Sequence, residues 1–281
     1  MKRINIILIV IILLSGCTST EINKSKNLKE KEEYYIIKGM NYERDNSYTK
    51  ALKEYEKAYK LNKNNIITLK DIAGIYTKLK DYDNGIFYYE KALKLDERDN
   101  DVIRNISFVY FLKKDYKKSL EYIGKIPYSD KNVESLKLES YLLYMTKNYE
   151  KSYDIFQMVL KENSEIDISY YEIYLNLLEK LNKKNEMRIF LENNLIKNRN
   201  NEKYVIFYAN SLKNYFDEYS LGEKELKRYI VTYGGNDDVY LTLAEIFYEE
   251  QKTDKSKEIL NFISNKGRYS EKYLYLKERL N

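Results

Sequence analysis

The chain has 281 residues, a formal net charge of +5, no histidine, no tryptophan and one cysteine. These counts exclude an imidazole base, a histidine-bound metal and an internal disulfide. With nine glycines and one proline there are few helix-breaking positions, and 32 tyrosines among many lysines and glutamates favour long amphipathic helices with aromatic contacts.

The first predicted element is an export signal. Lys2 and Arg3 precede an unbroken apolar run at residues 6–14, and the small residues Ser15 and Gly16 follow it. A basic start, an apolar centre and a small-residue end are the order of a signal peptide. A membrane-spanning helix needs ~20 apolar residues, so this run is too short to be one.

The tetrapeptide "LSGC" at residues 14–17 resembles the lipobox of bacterial lipoproteins. The resemblance implies that residues 1–16 are removed and that the Cys17 thiol carries a covalent lipid, with no other cofactor. It also implies a protein held by lipid on the exported side of a membrane. Because Thr18 rather than Asp follows the cysteine, this is the outer membrane facing the periplasm if the cell has two membranes. An ordinary signal peptide with an incidental cysteine and an uncleaved anchor are the alternatives.

The segment after the signal is polar and charged and has no apolar period. We therefore predict that residues 17–31 comprise the lipidated cysteine and a flexible tether. About thirteen such residues reach ~45 Å when fully extended, which would let the folded part stand off the membrane.

Two consecutive segments repeat one another at a spacing of 34 residues. Tyr42, Tyr48, Ala51, Tyr55 and Ala58 correspond in order to Tyr76, Tyr82, Gly85, Tyr89 and Ala92. This period and these small and aromatic positions resemble the tetratricopeptide repeat, a helix–turn–helix unit. A small residue suits the point where two helices of a unit cross, and the ring one turn later suits the gap to the next unit.

The resemblance implies an all-α fold, a right-handed α-solenoid of about seven helix pairs. We expect repeats over residues 32–270 and a capping helix at 271–281. Unit boundaries are predicted at 32–65, 66–99, 100–132, 133–166, 167–200, 201–236 and 237–270. Residues 167–236 have helical periodicity but match the repeat pattern weakly.

In proteins with these repeats the first helices of successive units line a concave groove. Carried over by repeat position, the predicted groove residues are Lys70, Arg104, Phe108, Phe111, Lys137, Tyr141, Tyr144 and Tyr171. Aromatic rings with a basic margin suit an extended peptide or a helix that has apolar anchors and some negative charge. The alternative is that several of these rings are core between units.

The sequence therefore predicts a lipid-anchored, non-enzymatic scaffold whose partners are unidentified proteins of the cell envelope. Nucleic acid and small-molecule substrates are not expected, because the chain is predicted to be exported and its lysines alternate with glutamates along helices. The alternative is an envelope enzyme or enzyme subunit with a site in residues 167–236. Such an enzyme predicts a deep pocket with converging polar groups in that region.

Overall fold

The computed structural model describes residues 26–162 and 167–280, which contain no strand and form α-helices joined by turns and by two longer connections that each include a 3-10 helix, Tyr128–Asp130 and Gly267–Tyr269. The predicted signal at 1–16, the lipidation site at Cys17 and tether residues 18–25 lie outside the described residues. The chain divides into two compact units, residues 1–162 and 163–281.

The first unit contains four helix pairs, one in each of the first four predicted repeats. The helices are α1 (26–44), α2 (Tyr48–Leu61), α3 (Ile66–Lys78), α4 (Tyr82–Leu95), α5 (Asn100–Leu112), α6 (Tyr116–Ile123), α7 (Val133–Met145) and α8 (Tyr149–Lys161). Helix α1 includes residues 26–31, which the sequence analysis assigned to the flexible tether. The helical region therefore begins before residue 32.

Within its described residues, the second unit contains three helix pairs and a final helix. These are α9 (Ile168–Lys180), α10 (Lys184–Lys197), α11 (Glu202–Phe216), α12 (Tyr219–Tyr233), α13 (Asp237–Glu249), α14 (Thr253–Leu260) and α15 (Glu271–Leu280). Tyr273, Leu276 and Leu280 of α15 pack against Leu241 and Ala244 of α13. The all-α fold of repeated helix pairs is confirmed.

The two helices of most pairs cross at small residues twelve positions apart. The hydroxyls of Ser119, Ser152 and Ser256 donate at 2.7 Å to the backbone carbonyls of Ser107, Ser140 and Ala244. In the second pair the small residue is Gly85, where a Cβ would lie 2.9 Å from Thr77 Oγ1. A larger side chain at these positions would force the helices apart.

The fifth and sixth pairs are built differently at the crossing. In the fifth pair, Tyr174 of α9 donates a 2.8 Å hydrogen bond to Glu186 of α10. In the sixth, Gly222 lies opposite Ala209, with 3.3 Å between a Cβ at Gly222 and the Ala209 Cβ. These two residues are thirteen positions apart, because Asp217 in the intervening turn follows a longer α11. The repeat pattern is therefore weak in sequence here although the helix pairs are present.

The apolar core of the first unit includes contacts between consecutive pairs. Tyr55 of α2 is fully buried with Ile72 and Ile75 of α3. Tyr89 of α4 packs in the same way against Ile106 of α5. The ring that follows the small residue thus fills the gap to the next pair, and burial of each such ring contributes roughly 2 kcal/mol.

The first helix of each pair from the second to the seventh begins with an asparagine or aspartate cap. Each cap side chain accepts a hydrogen bond from a backbone N–H in the first turn, as N-cap residues do. The caps, 33 to 35 positions apart along the chain, are Asn65, Asp99, Asn132, Asp167, Asn201 and Asn236.

Candidate binding surfaces

The structure brings three of the predicted groove rings together on α5 and α7. Phe108 stacks on Phe111 with 5.9 Å between ring centroids, and Tyr141 meets Phe111 edge-on at 5.5 Å. Phe108 is 45% exposed, and Phe111 and Tyr141 are half-buried. We call these three residues the aromatic cluster. They present an apolar surface to solvent from the first helices of two consecutive repeats.

Tyr144, which was predicted to join this surface, packs instead with a ring of the second helix in its own pair. Its centroid lies 5.8 Å from that of Tyr149. Tyr144 is half-buried, so part of its ring remains at the surface.

The three basic residues of the predicted groove are each bound to an acid of the same unit. Lys70 pairs with Asp99 at 3.0 Å, Arg104 with Asp101 at 2.6 Å and Lys137 with Glu134 at 3.0 Å. The positive margin expected from the sequence is therefore largely neutralised within the chain. A negatively charged partner would have to compete with these acids.

Tyr171 lies in the second unit, and the structure places it in the core. Its ring is 8% exposed and meets Phe190 edge-on at 5.1 Å. Tyr204 and Phe207 of α11 enclose it further, at 6.0 Å and 6.2 Å. Burial raises the pKa of Tyr171 to about 12. Its ring is not available to a partner, so the core alternative applies to this residue.

A charged cluster that the sequence analysis missed lies between α1 and α3. Glu43 accepts hydrogen bonds from the Tyr55 hydroxyl at 2.8 Å and from Lys78 at 2.6 Å. Asp71 of α3 is half-buried nearby. Burial, with the charge of Glu43 as the next cause, raises the pKa of Asp71 to about 6.

The second unit contains a cleft of about 670 Å³, lined mainly by the first helices α9, α11 and α13. Leu175 and Phe207 supply apolar surface, and the amides of Asn176, Asn210 and Asn214 face it. Asn176 and Asn210 are 34 residues apart and therefore occupy equivalent repeat positions. That spacing was the sequence signal that could have indicated this surface.

Charged residues line the cleft unevenly. Among the described residues, the acids are Asp167, Glu172, Glu202 and Asp238, and the bases are Lys203 and Lys272. Lys272 is already paired with Glu245, a residue that does not line the cleft. The lining therefore contains more acidic than basic side chains, although the chain as a whole is basic.

Two hydroxyls that line the cleft donate hydrogen bonds to backbone carbonyls of their own helices. Ser211 donates to the carbonyl of Phe207 at 2.7 Å, and Thr242 donates to that of Asp238 at 2.8 Å. Among residues 26–162 and 167–280, no group of three or more cysteine or acidic side chains could hold a metal ion. The groups that remain offer hydrogen bonds and charge to a bound ligand.

Two segments of the first unit match a family model. The tetratricopeptide repeat model matches residues 32–65 and 71–99. These segments are tetratricopeptide repeats. A search of curated protein sequences finds no significant match. Within the described part of the chain, none of the helices has the length and apolar character needed to cross a bilayer.

Solved structures of several proteins share the fold. A tetratricopeptide repeat protein from Parabacteroides merdae is 14% identical with a TM-score of 0.60, over 89% of this chain and 98% of its own. PilF from Pseudomonas aeruginosa is 14% identical with a TM-score of 0.50, over 90% and 99%. MamA from Desulfovibrio magneticus is 18% identical with a TM-score of 0.51, over 57% and 88%. At these identities the similarity shows the fold alone.

Proposed function

We propose that this protein is a lipid-anchored scaffold of the bacterial cell envelope that binds a peptide segment or helix of a partner protein. Tetratricopeptide repeats are interaction modules, which supports binding as the activity. The observation that carries the proposal is the aromatic cluster, Phe108, Phe111 and Tyr141, which exposes rings from the first helices of consecutive repeats. Aromatic residues in such positions are frequent anchors of protein interfaces.

The location rests on the sequence. The basic start, the apolar run and "LSGC" support export and a covalent lipid on Cys17. Two acyl chains hold a protein stably at a bilayer, since each buried CH₂ contributes ~0.8 kcal/mol. The protein would then stand on the exported side of its membrane, and in a cell with two membranes at the outer membrane facing the periplasm.

The cleft of the second unit is the observation that favours the alternative, an envelope enzyme or enzyme subunit. It lies partly in residues 167–236 and has converging polar groups, as that alternative predicted. The Ser211 and Thr242 hydroxyls donate to backbone carbonyls, whereas nucleophilic catalysis needs a nucleophile hydrogen-bonded to a base, so these two groups support binding better than catalysis. A partner recovered chemically unchanged after binding would favour the scaffold.

The test begins with crosslinking in intact cells to identify the partner, followed by binding measurements with purified variants. Phe108→Ala removes the most exposed ring of the cluster, and we expect affinity to fall roughly thirtyfold, which corresponds to about 2 kcal/mol. Phe87→Ala is the matched control, because Phe87 is 49% exposed on the second helix α4.

Both variants should melt within a few degrees of the wild type, since neither ring is among the buried core residues. Equal affinity of Phe108→Ala and the wild type, or a larger loss in Phe87→Ala, would contradict binding at the aromatic cluster.

A further inference from the structure

The cleft of the second unit has the form of a ligand site and contains one buried acceptor that lacks a hydrogen-bond donor. Its volume of about 670 Å³ is within the range of ligand-binding clefts. Leu175, Ile206 and Phe207 give it an apolar surface, and three asparagines from α9 and α11 line it. Such a surface accepts apolar side chains while its amides bond to a polar backbone.

Asn210 has an unfilled hydrogen-bonding capacity. Its Oδ1 is buried and accepts no hydrogen bond among the described residues. By contrast, Asn176 Oδ1 accepts one from the Tyr215 hydroxyl at 2.8 Å. A buried acceptor without a donor is costly. Because the terminal torsion of asparagine has a broad, roughly two-fold profile, a small rotation presents Oδ1 to an N–H donor in the cleft.

The charged residues of the lining favour a ligand that carries positive charge. Glu172 of α9 and Asp238 of α13 are exposed on the helices that flank α11. Lys272 is neutralised by Glu245, so Lys203 is the cation of the lining without a described ion pair. Acidic side chains that line a cleft attract cations, because the low-dielectric walls concentrate their field.

We propose that this cleft binds an extended peptide segment that carries lysine or arginine. Backbone N–H groups of the segment bond to Asn210, its cationic side chains meet Glu172 and Asp238, and its apolar side chains lie on Leu175 and Phe207. The inference rests on the proposed binding function, but it assigns a second surface to the chain and a positive charge to the ligand, opposite to the charge expected from the sequence.

The test is fluorescence anisotropy with the full chain in non-ionic detergent. The probe is a capped ten-residue peptide mixture in which lysine alternates with an equimolar set of Leu, Val, Ala and Ser. A second mixture has glutamate at the lysine positions. We expect the lysine mixture to bind at least tenfold more tightly than the glutamate mixture, and the difference to shrink as salt is raised, since salt screens exposed charges.

Variants locate the binding site. Glu172→Gln/Asp238→Asn should weaken binding of the lysine mixture roughly tenfold, because two carboxylates that face the ligand are removed. Asn210→Ala should weaken it severalfold and leave the salt dependence unchanged. Asp254→Asn/Glu258→Gln is the matched control, since it removes the same charge from exposed positions on α14.

Three results would overturn the inference: no binding of the lysine mixture, preference for the glutamate mixture, or equal losses in the cleft and control double variants. None of these results would contradict the proposed scaffold function, which is tested separately with the aromatic-cluster variants and the crosslinked partner. If the crosslinked partner binds while neither peptide mixture does, the scaffold proposal stands and the assignment of this cleft is wrong.

Discussion

Asp71 on α3 is a carboxyl whose protonation should change the stability of the first unit. Its pKa is raised to about 6 by burial and then by Glu43, while Lys70 opposes the shift. A carboxyl with a raised folded-state pKa stabilises the fold when protonated. That contribution is complete below the ordinary value of 3.8 and is lost as the pH rises through about 6.

We therefore predict that Asp71→Asn increases the free energy of unfolding at pH 7 by on the order of 1 kcal/mol, because the amide resembles the protonated acid. The gain over the wild type should shrink as the pH is lowered from 6 to 4. Urea unfolding at several pH values measures it, with Asp45→Asn, an exposed carboxyl on the neighbouring turn, as the control. Parallel pH profiles for Asp71→Asn and the wild type would contradict the assigned pKa.

Individual residues could be predicted from the sequence where their contacts are local. Helical spacing put Phe108 and Phe111 on one face of α5 and close together, as the structure has them. The pair of Arg104 with Asp101 also follows from i,i+3 spacing, but the sequence analysis did not consider it. The partner of Lys70, Asp99, is 29 positions away and required the fold.

Tyr171 shows the same limit for burial. Its repeat position predicted a ring on the groove, but Phe190, Tyr204 and Phe207 from two other helices enclose it.

At the scale of the helix pair, the turn between the two helices repeatedly contains a strained backbone conformation. In each of the seven described turns within a pair, a residue other than glycine has a positive φ, and such a conformation costs an L-residue roughly 1–2 kcal/mol. These residues are Asn46, Lys80, Lys114, Lys147, Asn182, Asp217 and Gln251.

We predict that Lys80→Gly stabilises the protein by about 0.5 kcal/mol. Glycine relieves the strain of a φ of 62° but adds roughly 0.5–1 kcal/mol of chain entropy to the unfolded state. Lys63→Gly is the control, because Lys63 lies in an exposed turn without a positive φ and should lose stability from the entropy alone. Thermal melting compares them, and equal destabilisation by both glycines would argue against strain at Lys80.

In the fifth and sixth pairs the sequence predicted the helices but not the residues at which they cross. Their helices were expected from periodicity, but their crossing residues did not fit the pattern of the other pairs. The Tyr174–Glu186 hydrogen bond replaces a contact between small residues, and Gly222 is displaced by one position relative to Ala209. The caps Asp167 and Asn201 keep the spacing of the other repeats and would have set the register. The cleft depends on side chains from four helices, so periodicity could not have given its shape.

For the whole molecule, the proposed anchor and the folded units have separate tests. Cys17 is predicted to belong to the tether and not to the repeats, so we expect Cys17→Ser to leave the helical spectrum and the melting temperature unchanged. A serine hydroxyl does not replace the cysteine thiol as acceptor of the diacylglycerol. We predict that Cys17→Ser loses metabolic labelling by a fatty acid and shifts from the membrane fraction to the soluble fraction. Thr18→Ser, which keeps the Cys17 thiol, should be labelled by the fatty acid and should fractionate with the membrane as the wild type does.

The outcomes of this experiment separate the three interpretations of the first seventeen residues. A wild type that is unlabelled and soluble indicates an ordinary signal peptide, and one that is unlabelled yet stays with the membrane indicates an uncleaved anchor. Equal labelling of Cys17→Ser and the wild type would exclude Cys17 as the lipid site. If the prediction holds, soluble Cys17→Ser should bind the partner in vitro with wild-type affinity but lose crosslinking in cells. The anchor concentrates the repeats at one surface without contributing to the binding contact.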